Sequence, residues 1–330
     1  MEEIILGNNS QHLLDIEKDE VFNGVLALRA CSKRIKTNGE PYLSLELGDS
    51  SGRMPAVYWG NDAGAVFKEI ESAMAVHVRG VISEYRDKPQ FTVESIRIAS
   101  QAEIDKAELL PVGSFSREQL ENRLRSAIVT VENRFLRKLL DVIFGEADFR
   151  KAFLRAPAGK LWHGAYIGGL AEHSMNVAVI CESAVPMFPL CRRDLLFACA
   201  LLHDIGKVDE IQISEHFDYS VEGRLVGHIV IGERRIRAAI REIEDFPEEM
   251  ALEISHMILS HHGEREMGSP VEPMTIEASI LHHADLLESQ ANAFSHVVSR
   301  DLENAGPFSQ WVDPVSRFLY KEAYNKGQST

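Results

Sequence analysis

Three things are scarce in this chain. It has four cysteines, Cys31, Cys181, Cys191 and Cys199, and no two are spaced as CxxC. That excludes a zinc ribbon or a dithiol redox pair and leaves buried free thiols in a reducing compartment. It has no excess of basic charge: the formal net charge is −15, so a surface coated for nucleic acid is excluded, although a local basic groove is not. It also has no apolar run near the roughly 18 residues that a membrane span needs. The opening Met-Glu-Glu-Ile-Ile-Leu has neither a basic flank nor a long apolar core. A cytoplasmic protein with no membrane partner is expected. At 330 residues there is room for two domains, each with its own core.

Hydrophobic period divides the chain. From Val21 to Ile98 it is two. Strand candidates are Val21–Ala30, Tyr42–Leu47, Met54–Trp59, Ala75–Tyr85 and Gln90–Ile98, with a helix candidate at Asp62–Ala73 between the third and fourth. Five strands with a helix in that place is the order of an OB-fold, an all-β barrel. Lys33, Arg34 and Lys36 fall in the expected loop between strands one and two, and Arg86 and Lys88 in that between four and five. Those are the loops with which such barrels grip single strands, and Tyr42, Tyr58, Trp59, Tyr85 and Phe91 offer stacking surface or barrel core. Tyr58 and Trp59 are the aromatics assigned to binding.

Residues 100–115, with Pro111, Gly113 and Ser114, read as a linker after a barrel domain at 1–100. Beyond Ser116 the period is helical, so residues 116–330 are expected to be all-α. Ser116 and Gln119 make a capping box, and Leu120, Leu124, Ile128, Val131, Phe135 and Leu139 form one apolar stripe. Further helices are expected at Gly169–Ala184, Asp194–Ile205, Glu222–Ile243, Pro247–Ser260 and Thr275–His296, and the aromatic tail after Pro307 is expected to pack.

The apolar run Leu195–Leu202 ends in an adjacent pair, His203-Asp204, with Asp194 placed to cap the helix and Gly206 to end it. An imidazole and a carboxylate buried side by side need compensation, and a divalent cation supplies it. Other segments offer the same chemistry: Glu172-His173, His228, His261-His262 and Asp285. Histidine and carboxylate without thiolate suit Mn²⁺, Fe, Zn²⁺, Co²⁺ or Ni²⁺, with shared oxygens favouring Mn²⁺. The donors exceed what one ion needs, so two ions with Asp204 between them are expected, an arrangement suited to phosphoryl chemistry. Lys207, three residues on, is placed to reach a phosphate oxygen. His12, His77, His216 and His296 stand outside any cluster; His256, His282 and His283 are left unassigned, although His282 shares a helix face with Asp285.

His173, His203-Asp204 and Asp285 together resemble the HD phosphohydrolase superfamily, an all-helical fold around a metal. The wider motifs are His163-Gly-Ala-Tyr-Ile-Gly-Gly-Leu-Ala-Glu-His173, Leu-Leu-His-Asp-Ile-Gly-Lys207, Gly223-Arg-Leu-Val-Gly-His228, and Ser260-His-His-Gly263 followed by Gly268-Ser-Pro270. They resemble the YhaM family over residues 20–295. That resemblance implies an OB-fold joined to an HD domain, its core at 160–296, acting as a metal-dependent 3′→5′ exonuclease on single-stranded RNA or DNA. It implies His173, His203, Asp204 and Asp285 as core metal ligands and His228 with His261 or His262 at a second ion. His163 and Lys207 would meet the phosphate. An HD hydrolase of a small nucleotide or cyclic dinucleotide, and a nucleic-acid-binding adaptor without catalysis, are the alternatives; a homo-oligomer is compatible with either.

Overall fold

Alternating burial builds the first unit. In the computed structural model, which describes residues 12–84, 89–104, 109–160, 164–214, 216–301, 306–309, 311–312 and 315–325, Leu43, Leu45 and Leu47 turn inward while Tyr42, Ser44 and Glu46 do not. The strands are β1 (Val21–Ile35), β2 (Pro41–Asp49), β3 (Gly52–Tyr58), β4 (Ala75–Glu84) and β5 (Pro89–Ile98), with helix α1 (Ala63–Ile70) between β3 and β4. They close into a barrel in the order β1-β2-β3-β5-β4, with β3 and β5 parallel. Closure leaves no unpaired sheet edge. β1 serves two neighbours: Val21–Ala27 pairs with β4, Ala27–Ile35 with β2, and a register shift between Leu28 and Ala30 turns the strand from one to the other. Leu26, Leu43, Leu47, Val76, Val78 and Phe91 fill the interior, together with Ala63 and Ile70 of α1.

Two expectations change here. β1 does not stop at Ala30, so Lys33 and Arg34 lie in the strand, opposite Leu43 and Tyr42, and Lys36 alone of the three lies beyond it. Charged side chains on the solvent face do not interrupt a strand while its partner continues. Nor are residues 100–115 a bare linker. They include α2 (Gln101–Ile104), and Leu109 is buried against Ala27, Ala75 and Ala99 while Arg29 donates to its carbonyl at 2.6 Å. The chain divides between Val112 and Gly113.

The second unit comprises α3 (Arg117–Val129), α4 (Arg134–Gly145), α5 (Ala147–Phe153), α6 (Gly169–Ala184), α7 (Arg193–Leu202), α8 (Lys207–Glu210), α9 (Val221–Val226), α10 (His228–Arg241), α11 (Glu248–Ser260), α12 (Ile276–Asp301) and α13 (Glu322–Asn325). A two-stranded hairpin of β6 (Ile211–Ile213) and β7 (Phe217–Tyr219) interrupts the helices, an element of three-residue strands too short to show a period. Leu195–Leu202 is buried at every position, at the centre of a core that α3, α4, α6, α10, α11 and α12 also enter. No helix among the described residues is long and apolar enough to cross a membrane.

The single apolar stripe is two helices. Ser116 and Gln119 form the capping box of α3. The chain then breaks, and Asn133 Oδ1 accepts from Phe135 and Leu136 to start α4. Asp194 does not cap its own helix; its Oδ2 accepts the backbone N–H groups of Glu132 and Asn133, at 2.7 and 2.6 Å, and pins that break. Gly227, at φ +77°, likewise divides the expected helix Glu222–Ile243 into α9 and α10 and leaves His228 as the first residue of α10. In the tail, Phe308 packs edge-on against Tyr320 and Trp311 against Phe318.

Gly206 has another task than ending a helix. α7 stops at Leu202, and Gly206 precedes α8 with an ordinary φ of −65°. A Cβ there would stand 2.0 Å from the His228 carbonyl oxygen and 2.6 Å from the Gly232 nitrogen. Gly206→Ala should therefore push α10 away from α8, destabilise by about 1–3 kcal/mol or more, and displace His228 from Asp204. Urea unfolding with a Mn²⁺ titration checks both effects.

Candidate functional site

Helix ends place most of the candidate donors. His203 follows the last residue of α7 and His261 the last of α11, where carbonyls have no helical partner. His203 Nδ1–H donates to Ala200 O at 2.8 Å and His261 Nδ1–H to Ile258 O at 2.7 Å. His262 Nδ1–H donates to Met267 O at 2.9 Å. A carbonyl only accepts, so each Nδ1 carries a proton, and it is Nε2 that offers the lone pair when the ring is neutral. His173 and Asp285 come from within α6 and α12, and His228 opens α10.

These atoms converge on Asp204. Its Oδ2 lies 3.4 Å from His173 Nε2 and 3.3 Å from His203 Nε2. Its Oδ1 lies 3.4 Å from His228 Nε2 and 3.5 Å from His261 Nε2. Asp285 Oδ1 is 3.2 Å from His173 Nε2 and 3.9 Å from His203 Nε2. Three groups hold donor atoms within 4.8 Å of one another: His173, His203 and Asp204; Asp204, His228, His261 and His262; and His203, His261 and Asp285. His173, His203, Asp204, His228, His261, His262 and Asp285 are thus in one place, and Glu172 belongs to none of the three groups.

The donor set fits a cation. Asp204 Oδ1, His228 Nε2 and His261 Nε2 are buried and, among the described residues, have no hydrogen-bond partner. A buried polar atom without a partner is costly, and a divalent ion is what neutral imidazoles and carboxylates share. Burial pushes the His261 and His262 pKa values down, keeping those rings in the neutral form that ligates. Burial would raise Asp204, but Lys207 and then His203 hold it well below the usual carboxylate range. The site therefore points to divalent metal binding.

Lys207 joins the cluster: its Nζ is 2.6 Å from Asp204 Oδ2, an ion pair beside the imidazoles. His163 lies outside the described residues. His282, left unassigned, donates from Nδ1 to His261 O at 3.0 Å, and its ring fills the space where a side chain on Gly263 would stand. His256 accepts from the Met274 N–H instead. Two residues that sequence reasoning passed over touch the cluster: Glu288 Oε2 is 2.6 Å from His173 Nδ1, and Glu210 Oε1 is 3.0 Å from His228 Nδ1. Each stands three residues after a candidate, Asp285 or Lys207, a spacing that ordinary helix carboxylates share and that singles out neither.

On the barrel, Trp59 is 47% exposed and stacks on Tyr42, ring centroids 4.6 Å apart and planes 22° apart. Lys36 Nζ lies 5.7 Å from the Trp59 ring, and Lys33 Nζ 5.7 Å from that of Phe67. Arg34 is exposed beside Tyr42 in the strand register. Tyr58 belongs to the core instead, as its hydroxyl donates to Asp62 Oδ1 at 2.7 Å. Strand alternation explains it: Met54, Ala56 and Tyr58 share the inward face of β3. Phe91 is buried against Phe22. Tyr85, Arg86 and Lys88 lie outside the described residues.

Comparison with known proteins gives the same two parts. A family model described as HD domain matches residues 170–290, and one described as OB-fold nucleic acid binding domain matches residues 27–99. A Shouchella clausii protein is 31% identical over 93% of this chain and 95% of its own. A Geobacillus protein is 32% identical over 95% of each chain, and a Listeria monocytogenes protein 30% identical over 92% of this chain and 95% of its own. All three are named 3′-5′ exoribonuclease YhaM. With both parts matched in order and relatives aligned over nearly their whole length, the chain belongs to the YhaM family.

Proposed function

We propose that this protein removes nucleotides from the 3′ end of single-stranded RNA, and of single-stranded DNA, by metal-dependent hydrolysis of the phosphodiester. The observation that carries the reading is the division of Asp204: one oxygen faces His173 and His203, the other His228 and His261. A carboxylate shared in this way suits two cations, Mn²⁺ first among them, with Fe, Co²⁺, Ni²⁺ and Zn²⁺ as alternatives. Such ions supply Lewis acidity toward the phosphate and a hydroxide source at neutral pH. His173, His203, Asp204, His228, His261, His262 and Asp285 would hold them.

The chain's own groups do the rest. Lys207, on the same oxygen of Asp204 as His173, adds a positive charge where phosphate oxygens gain negative charge. His163 is assigned to the phosphate as well. On the barrel, the Tyr42–Trp59 stack takes a base and Lys33, Arg34 and Lys36 meet the backbone, a role to which Arg86 and Lys88 are assigned from the sequence alone. The polarity is supported by the name that the relatives share.

The deciding experiment is a cation-screened digest of 5′-labelled single-stranded RNA and DNA of equal sequence. A ladder that shortens from the 3′ end is expected. Turnover of free nucleotides or cyclic dinucleotides without a ladder would overturn the reading. Within it, Lys207→Gln should retain the cations and lose about 10²-fold in rate, the scale of one charge contact in the transition state. Metal analysis beside the rate is the check, since loss of both together would make Lys207 a partner of Asp204 alone.

A further inference from the structure

The imidazoles of the cluster differ in what stands behind them. His203, His261 and His262 donate from Nδ1 to neutral carbonyls, those of Ala200, Ile258 and Met267. Behind His173 and His228 there are carboxylates, Glu288 and Glu210. Both carboxylates are buried, at 7% and 8% exposure, and among the described residues neither has an Arg or Lys within ion-pair distance. Burying a carboxylate is expensive, and among the described residues the charge partner within ion-pair distance of each is an imidazole, with Lys207 acting on Glu210 from farther away.

Both are also held firmly. Glu288 Oε1 accepts from Asn176 Nδ2 at 3.1 Å and Asn292 Nδ2 at 3.3 Å, which leaves Oε2 for His173. Glu210 Oε1 accepts from the backbone N–H of His228 and from the ring, both at 3.0 Å. Its backbone is gripped in turn: Ser220 N–H donates to Glu210 O at 2.8 Å, and a side chain on Gly223 would run into that same oxygen. A carboxylate behind an imidazole fixes the tautomer and makes the far nitrogen a better ligand.

The two lie on opposite sides of the shared aspartate, since His173 faces Asp204 Oδ2 and His228 faces Oδ1. We propose that Glu288 and Glu210 are positioning residues that set the affinities of two different cation subsites, Glu288 through His173 and Glu210 through His228. The proposal rests on the two-cation reading above. It adds an order of filling. Glu288 gives one whole oxygen to its ring at 2.6 Å, whereas Glu210 splits one oxygen between two donors at 3.0 Å. The His173 subsite therefore binds more tightly and fills first, and occupancy of the His228 subsite follows the free cation concentration.

The test is calorimetric titration of the full-length, cation-stripped protein with Mn²⁺, with bound metal counted by mass spectrometry. Wild type should take two equivalents in separable steps. Glu288→Gln should weaken the tighter step by about 10- to 100-fold and spare the other; Glu210→Gln should do the reverse. Asn292→Ala removes one donor to Glu288 and should weaken the tighter step by less, a variant that keeps the test alive if Glu288→Gln does not fold. Circular dichroism of the stripped variants monitors the fold. Two equivalents with variants that bind like wild type, or that lose both steps alike, overturn this proposal and leave the two-cation reading standing. One equivalent in wild type overturns both.

Discussion

Asp204→Ala is expected to abolish hydrolysis and to strip the protein of its cations while leaving the helices intact. Asp204 is 1% exposed, and four imidazoles and one ammonium lie within 3.5 Å of its two oxygens. Without it the two halves of the cluster lose their common anion, and Lys207 loses the carboxylate that stands 2.6 Å from its ammonium. A loss of several kcal/mol of transition-state stabilisation, on the order of 10³-fold or more in rate, follows from removing a metal clamp. The fold should survive, because the apolar packing of α7 does not run through this side chain. Rate, metal content and circular dichroism of the purified variant make the comparison. Wild-type hydrolysis by Asp204→Ala would sink the two-cation reading.

Trp59→Ala should weaken binding of a long oligouridylate by about 5- to 150-fold, the range for losing one stacked base at about 1–3 kcal/mol. Tyr42 stacks on Trp59, and a base would stack on the surface of the ring that stays exposed, beside Lys36 Nζ. If the pair acts as one platform, Tyr42→Ala combined with Trp59→Ala should cost little more than Trp59→Ala alone, as expected of residues in contact. Lys36→Ala should act differently, lowering the slope of log affinity against log salt by about 0.7, the share of one phosphate contact on a single strand. Cleavage of a dinucleotide should be unchanged in all of these variants. Fluorescence anisotropy across a salt series reads each effect, and undiminished affinity in Trp59→Ala would remove the barrel from substrate binding.

Much of this was legible in the residues. Helix α6 appears over the residues expected, Gly169–Ala184, and the barrel strands sit where the period of two placed them. The donor cluster was legible because histidine and aspartate inside apolar helices have few other reasons to be there. The same alternation that located β3 also said that Tyr58 faces inward, a signal that the aromatic tally overrode. Gly227 within a helical stretch was a break signal of the same kind. Other features were out of reach. Asp194 caps a turn 61 residues earlier, and no local pattern predicts a tertiary cap. Glu210 and Glu288 look like ordinary helix carboxylates until burial is known, because sequence reports the period of a face and not what packs over it.

Glu288 and His173 are 115 residues apart in the chain and 2.6 Å apart in space. Contacts of that span form late in folding, since a long loop has to close before they contribute anything. Their arrival brings Asp204, Asp285, Glu210 and Glu288 into one low-dielectric region, where burial penalises each charged carboxylate and the imidazoles of His173 and His203 offset that cost at Asp285. A cation that binds the native chain and not the unfolded one shifts that balance by about 2.7 kcal/mol at 100 times its dissociation constant. Chelation should lower the melting temperature of the helical unit and leave the barrel's transition where it was. A melting curve recorded in chelator then describes the peptide, and one recorded in Mn²⁺ describes a complex whose midpoint climbs with the concentration of the ion.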